Sequence, residues 1–356
     1  MSGMHRDRIT RSPSDDEKGE KWKNKKRRIS LQRLIQLISA ALLNGYAVGF
    51  QKGKIFTGRT KAVCVPVLNC YSCPGALGAC PIGALQTALG GIRRHFPFYV
   101  LGMLMLFGIV LGRAVCGLLC PFGLVQDLLH KIPVPKLRVP KKIDRPARYI
   151  KYIVLLVLVI GMPVFVVTKT GITPPYFCKY LCPAGTLEGG IPLMLADPVL
   201  RGLAGILFDW KVLVLVIVLF ASMLIHRPFC RYLCPLGAFY SLFNRFSFFQ
   251  MQLDRTKCSG CRECERSCPM AVEVTKNINS AECIRCGKCR DICPNKAIAF
   301  GFGSAKEESA VGEKADCPNQ SDPASFSGDR HSGMSRKYVS TGTDTRSAHK
   351  RRKPAD

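Results

Sequence analysis

The cysteines between residues 258 and 294 stand at spacings that can do chemistry. They read Cys258-x2-Cys261-x2-Cys264-x3-Cys268-Pro269, then Cys283-x2-Cys286-x2-Cys289-x3-Cys293-Pro294. Three closely spaced thiolates wrap one face of a cubane [4Fe–4S] cluster, and the fourth ligand comes from a distance. Where such a run occurs twice, the last cysteine of each run serves the other cluster. Cys258, Cys261, Cys264 and Cys293 are therefore expected to hold one cluster, and Cys283, Cys286, Cys289 and Cys268 the other. The proline after each fourth cysteine lacks an N–H and fixes φ, which suits a tight turn. Structural zinc is the competing use of Cys-x2-Cys pairs, but it takes two pairs rather than a triplet with a remote fourth.

A second pattern lies upstream. Cys-Pro-x-Gly occurs at Cys80, Cys120, Cys182 and Cys234, and in the last three a further cysteine (Cys116, Cys178, Cys230) stands four residues earlier. The first repeat carries Cys70 and Cys73 instead, with Cys64 in reserve. Apolar stretches separate the repeats: about Leu31 to Phe50, Phe96 to Leu111, Tyr149 to Thr168 and Leu203 to Ile225. The first is the weakest, because it contains Gln36 and Asn44, whereas Ile191 to Ala204, with Asp197, Pro198 and Arg201, suits a re-entrant or interfacial segment better than a span. If the four stretches span and the N-terminus is inside, Cys116, Cys120, Cys230 and Cys234 gather at the inner face. Cys70, Cys73, Cys80, Cys178 and Cys182 then gather at the outer face. Each set offers enough thiolate for one more iron–sulfur cluster. Packing cysteines and outer-face disulfides are the alternatives; a Cys-Pro pair at four matching points is hard to explain by packing.

These elements set the expected architecture. It is an α-helical multi-pass membrane protein of about four spans, carrying a small α+β domain with the two cysteine runs. The chain has 356 residues and a formal charge of +28. The basic residues flank apolar blocks, as the positive-inside rule requires, so the charge argues for lipid contact rather than nucleic-acid binding. Residues 1–30 read as a basic, disordered arm, 31–245 as the transmembrane domain with its four repeats, 254–303 as the two-cluster domain and 304–356 as a polar, disordered tail with a lone Cys317. The 19 cysteines are clustered too regularly for a secreted disulfide framework, and reduced thiolates point to a cytoplasmic or anaerobic setting for that domain.

The segment from Asp254 to Phe300 resembles a two-cluster ferredoxin domain. With Cys116 to Pro121, Cys178 to Pro183 and Cys230 to Pro235, the region from Leu31 to Gly303 looks like the membrane polyferredoxin family. That family includes the quinol-dehydrogenase membrane component of periplasmic nitrate reduction and membrane proteins linked to nitrous oxide reduction and reductive dehalogenation. The Cys70–Cys80 stretch departs from its plainer members. The resemblance implies electron transfer between a cytoplasmic or quinone-pool donor and a partner redox enzyme, in a prokaryotic inner membrane with the ferredoxin domain cytoplasmic. A redox-dependent assembly or regulatory factor, binding clusters without substrate turnover, is the other reading. His95, His130 and His226 lie near span ends, where a quinone headgroup would sit, and Glu188 and Asp209 could carry protons; each is more simply an interfacial residue.

Overall fold

A computed structural model describes residues 32–90, 97–137, 139–166, 173–202 and 205–303. The expectations for both tails, for His95 and for Cys317 lie outside the described residues.

Two helices are long and apolar enough to cross a membrane, Lys141–Phe165 with 25 residues and Ile206–Leu224 with 19. The other two expected spans are shorter apolar helices, Gln32–Leu43 and the 14-residue Phe98–Leu111. Fourteen residues rise about 21 Å, short of a hydrocarbon core of about 30 Å. The polar residues of Gln32–Leu43 have structural work to do. The Gln36 amide is fully buried and donates to the Gly117 carbonyl at 2.8 Å, and Gln32 donates to the same oxygen at 3.0 Å.

Two stretches are wound wider, with π-type bonding, at Val154–Gly161 and Thr186–Gly190. A proline follows each, Pro163 and Pro192. Proline has no N–H to give and its ring crowds the carbonyl four residues back; a wider turn accommodates both.

Each Cys-Pro-x-Gly motif opens a helix. The helices begin at Pro81, Pro121, Pro183 and Pro235, and three of them run nine residues, as Pro81–Leu89, Pro121–Leu129 and Pro235–Phe243. Proline suits the first helical position, where its missing N–H would be unpaired anyway. In the last three repeats the earlier cysteine sits on its own five-residue helix, Ala114–Leu118, Tyr176–Tyr180 or Pro228–Tyr232. These short elements pack into one apolar core that takes in Cys80, Cys116, Cys120, Cys182, Cys230 and Cys234.

The second core belongs to the two cysteine runs. Strand β1, Phe249–Leu253, pairs antiparallel with β2, Ile298–Phe302, in the register Phe249↔Phe302, Met251↔Phe300 and Leu253↔Ile298. This ribbon closes the segment between its ends, over Met251, Met270, Val272, Val274, Ile284 and Ile298.

Candidate metal centres

The ferredoxin-type segment forms two pockets. One is lined by Cys258, Cys261, Cys264 and Cys293, the other by Cys283, Cys286, Cys289 and Cys268. Each run thus lends its last cysteine to the other pocket. The two halves repeat one backbone path. Gly260 and Arg262 flank Cys261 at φ 70° and 54°, and Arg285 and Gly287 flank Cys286 at 51° and 78°. Ala271 and Lys296 then take φ 49° three residues after Cys268 and Cys293. Left-handed residues alternating with right-handed ones turn successive N–H groups to one side, which makes an anion cradle. Amides reach the sulfurs accordingly: Val272 N–H donates to Cys268 Sγ at 3.5 Å and Ala297 N–H to Cys293 Sγ at 3.4 Å.

The same device recurs at the four upstream motifs, and it gives Cys-Pro-x-Gly a physical reading. Cys80, Cys120, Cys182 and Cys234 are all N-cap residues with extended backbone. The glycine three residues on turns its N–H back to the cap. Gly185 N–H donates to Cys182 Sγ and Gly237 N–H to Cys234 Sγ, both at 3.3 Å; Cys80 and Cys120 close no such bond, though burial raises both thiols and the Gly83 and Gly123 N–H groups oppose that rise. A capping side chain ordinarily accepts through oxygen; here a sulfur takes that place at the positive end of a helix, which favours thiolate.

The structure brings these cysteines into two groups. In the first, burial pushes the Cys234 thiol up, and Cys230, Cys116 and Cys120 add to it; Cys120 feels Cys230 and Cys116 likewise. In the second, burial raises Cys182, with Cys178, Cys70 and Cys80 contributing. Cys70 therefore stands in for the cysteine that the first repeat lacks four residues before Cys80. The glycines make room around the second group. A Cβ on Gly185 would lie 3.6 Å from Cys70 Sγ and 3.7 Å from Cys182 Sγ, and one on Gly83 would lie 3.8 Å from Cys178 Sγ. A cavity of about 820 Å³ opens onto all four thiols. Cys73 Sγ turns to Asn44 Oδ1 at 3.5 Å; burial raises its thiol, with Glu188 and Cys70 adding to the rise, and burial raises Cys64 as well.

Gln126 and Tyr240, which the sequence did not single out, complete the surroundings together with Glu188, His130 and His226, which it did. The fully buried Gln126 donates to Cys230 Sγ at 3.1 Å. Glu188, pushed up to about 8 by burial, accepts from the Cys70 N–H at 2.9 Å. Tyr240 is wholly buried and donates to the Pro66 carbonyl at 2.9 Å. Burial raises its phenol, and thiols of both groups, Cys116, Cys120 and Cys234 of the first and Cys80 of the second, add to the shift; Tyr240 shares their core. His130 and His226 come together edge to face at 5.2 Å, and His226 Nε2 meets Asp127 at 3.2 Å.

Among the described residues every cysteine is free, and no three His, Cys, Asp or Glu side chains converge closely enough for a single metal ion. Thiols buried, spread around a cavity and met by N–H donors suit a polynuclear iron–sulfur group better than zinc, whose four ligands close on one ion at about 2.3 Å.

Residues 250–294 match the family model described as a 4Fe-4S dicluster domain. The model described as a 4Fe-4S binding domain matches residues 78–99, 95–140, 154–191 and 208–252, one match over each Cys-Pro-x-Gly motif. Two uncharacterized proteins of Methanocaldococcus jannaschii are similar. One is 31% identical over 57% of this chain and 78% of its own length, the other 32% over 54% and 65%. The ferredoxin-type protein NapH of Haemophilus influenzae is 28% identical over 61% of this chain and 73% of its own. No solved structure matches. Fold and thiol groups together define an iron–sulfur protein of the ferredoxin type. The chain belongs to the polyferredoxin family, 4Fe–4S binding proteins with Cys-x3-Cys-Pro motifs that are similar to NapH.

Proposed function

We propose that this protein is a membrane-bound electron carrier with four [4Fe–4S] sites. Two are the ferredoxin-type sets. The third is Cys116, Cys120, Cys230 and Cys234, and the fourth is Cys70, Cys80, Cys178 and Cys182. Clusters held there would each take up and release one electron. The observation that carries the reading is the continuity of the four sets. Tyr240 packs in one core with Cys80 and Cys116, and Gly117 meets Ile284, beside Cys283, where a Cβ would come within 2.2 Å of the Ile284 carbonyl oxygen. Burial excludes water from the two upstream groups, and the capping amides hold their sulfurs.

The helices Lys141–Phe165 and Ile206–Leu224 anchor the chain in a prokaryotic inner membrane, with the ferredoxin-type part cytoplasmic. At its far end Cys261 is exposed. Arg255, Lys257, Arg262, Arg266, Lys276, Lys288 and Lys296 are exposed over 250–303; Asp254, Glu263 and Glu273 pair with Lys257, Arg266 and Lys276, and the cations still outnumber them there. An acidic redox protein fits that surface. The family resemblance adds a quinone pool as the second exchange partner. Reduction by a quinol analogue or a soluble ferredoxin tests the function. Steady turnover supports a carrier; clusters that stay oxidised with both would favour an assembly or regulatory role.

A further inference from the structure

Two buried arginines occupy matching positions in the Cys116 group. Arg113 stands three residues before Cys116, and Arg227 three before Cys230. Both are fully buried. Each reaches across to the opposite motif. Arg113 Nη2 donates to the Cys230 carbonyl at 3.1 Å, and Arg227 Nη1 donates to the Cys116 carbonyl at 2.6 Å. Arg227 also lies 3.4 Å from where a Cβ on Gly123 would sit, and Arg113 3.6 Å from the same point on Gly237. The exchange is reciprocal, so each motif is braced by a cation that its counterpart supplies. The Cys182 motif has Pro175 at this position and no such cation.

Each arginine has one carboxylate. Asp127 takes Arg227, accepting from Nε at 2.7 Å and again from Nη2. Glu282 takes Arg113 at 2.8 Å, and Lys151 besides. A buried guanidinium cannot shed its proton, so its charge is permanent. Reduction of a cluster adds a negative charge to the thiolate set. A fixed cation against the ligand backbone favours that step, and its carboxylate partially offsets the effect.

We propose that Arg113 and Arg227 are positioning residues that raise the reduction potential of the cluster held by Cys116, Cys120, Cys230 and Cys234. Asp127 and Glu282 hold that potential below the value the two cations alone would give. This rests on the ligand set proposed above. The bond to the cysteine carbonyl also fixes the cysteine's backbone, but that role is indifferent to the sign of charge, whereas the potential is not.

The test is an EPR-monitored redox titration of the anaerobically purified full chain, with dithionite as reductant and iron counted in each sample. Arg227→Gln is expected to lower the midpoint of one cluster by the equivalent of at least tenfold in its one-electron equilibrium, about 59 mV. Asp127→Asn, which is isosteric, should raise the same midpoint. Arg227→Lys should stay near the wild type. Unchanged midpoints, or shifts of the same sign in Arg227→Gln and Asp127→Asn, would overturn the proposal. Should Arg227→Gln lose its cluster, Asp127→Asn decides alone: an upward shift supports the assignment and an unchanged midpoint ends it. If wild type carries no iron at this set, the ligand assignment has failed instead, and the iron count shows it.

Discussion

Gly117 meets Ile284 so closely that a Cβ on Gly117 would stand 2.2 Å from the Ile284 carbonyl oxygen. The contact joins the Cys116 group to the loop that carries Cys283 and Cys286. Asn244 reinforces it, donating to the carbonyls of Ser280 and Cys283 at 2.6 and 3.0 Å while accepting from the Arg113 N–H at 3.1 Å. Arg285 adds a bond to the Leu111 carbonyl at 2.8 Å. Because the obstacle is backbone, Gly117→Ala must push the two parts away from each other. It should cost about 1–3 kcal/mol and raise hydrogen exchange across residues 280–286, with the iron content unchanged. Wild-type exchange rates there would show that the contact is not a close one.

Cys70 and Cys73, three residues apart in sequence, differ in environment. Cys70→Ser should remove about four irons per chain, one cubane's worth. Cys73→Ser should remove none, since its thiol turns to Asn44. Iron and sulfide assays on the two variants check this directly; equal losses would mean that Cys73 shares the site.

The cationic rim near Cys261 should make exchange with an acidic redox protein depend on salt. Between low and physiological ionic strength the association rate should fall by about tenfold or more. Arg262→Glu should slow it further at low salt. Stopped-flow reduction by an acidic bacterial ferredoxin is the measurement; a rate indifferent to salt would place the exchange surface elsewhere.

His226 is held near a pKa of about 4, chiefly by burial, with Asp127 opposing that shift. Its folded value is depressed, so an unfolded chain takes up the proton first as pH falls. The stability from its neutral form is present above about pH 6.5, the ordinary histidine value, and is lost as pH falls toward 4. Thermal melts between pH 7 and 4.5 should show a decline that His226→Gln flattens; parallel profiles for the two proteins would contradict it.

The ferredoxin-type pairing was legible because it follows from spacing alone: a run of three plus a remote fourth leaves few ways to close, and the pockets of Cys258 with Cys293 and Cys283 with Cys268 obey it. The grouping of Cys116, Cys120, Cys230 and Cys234 was legible from the alternation of repeats and apolar stretches. The different surroundings of Cys70 and Cys73 were not, since both lie in an irregular loop where Cys70 N–H meets Glu188 and Cys73 Sγ meets Asn44, distant in sequence. The stretch Phe96 to Leu111 ends where composition placed its end, at Leu111 before Gly112 at φ 53°, but its helix of 14 residues is shorter than the two that are long enough to span. Arg113 and Arg227 did leave a signal, Arg-x2-Cys-x3-Cys-Pro in both motifs, hidden among the chain's many cations. Tyr240 left none; its place in their shared core exists only once the helices pack.

Four thiol sets, each holding a [4Fe–4S] cluster, are what the proposed electron carrier requires. Iron and acid-labile sulfide, counted per chain on anaerobically purified protein, test it most directly. About 16 of each are expected, four cubanes' worth. A value of about 8, unchanged by Cys120→Ser and Cys182→Ser, would confine the clusters to the ferredoxin-type segment and contradict the continuity of the four sets.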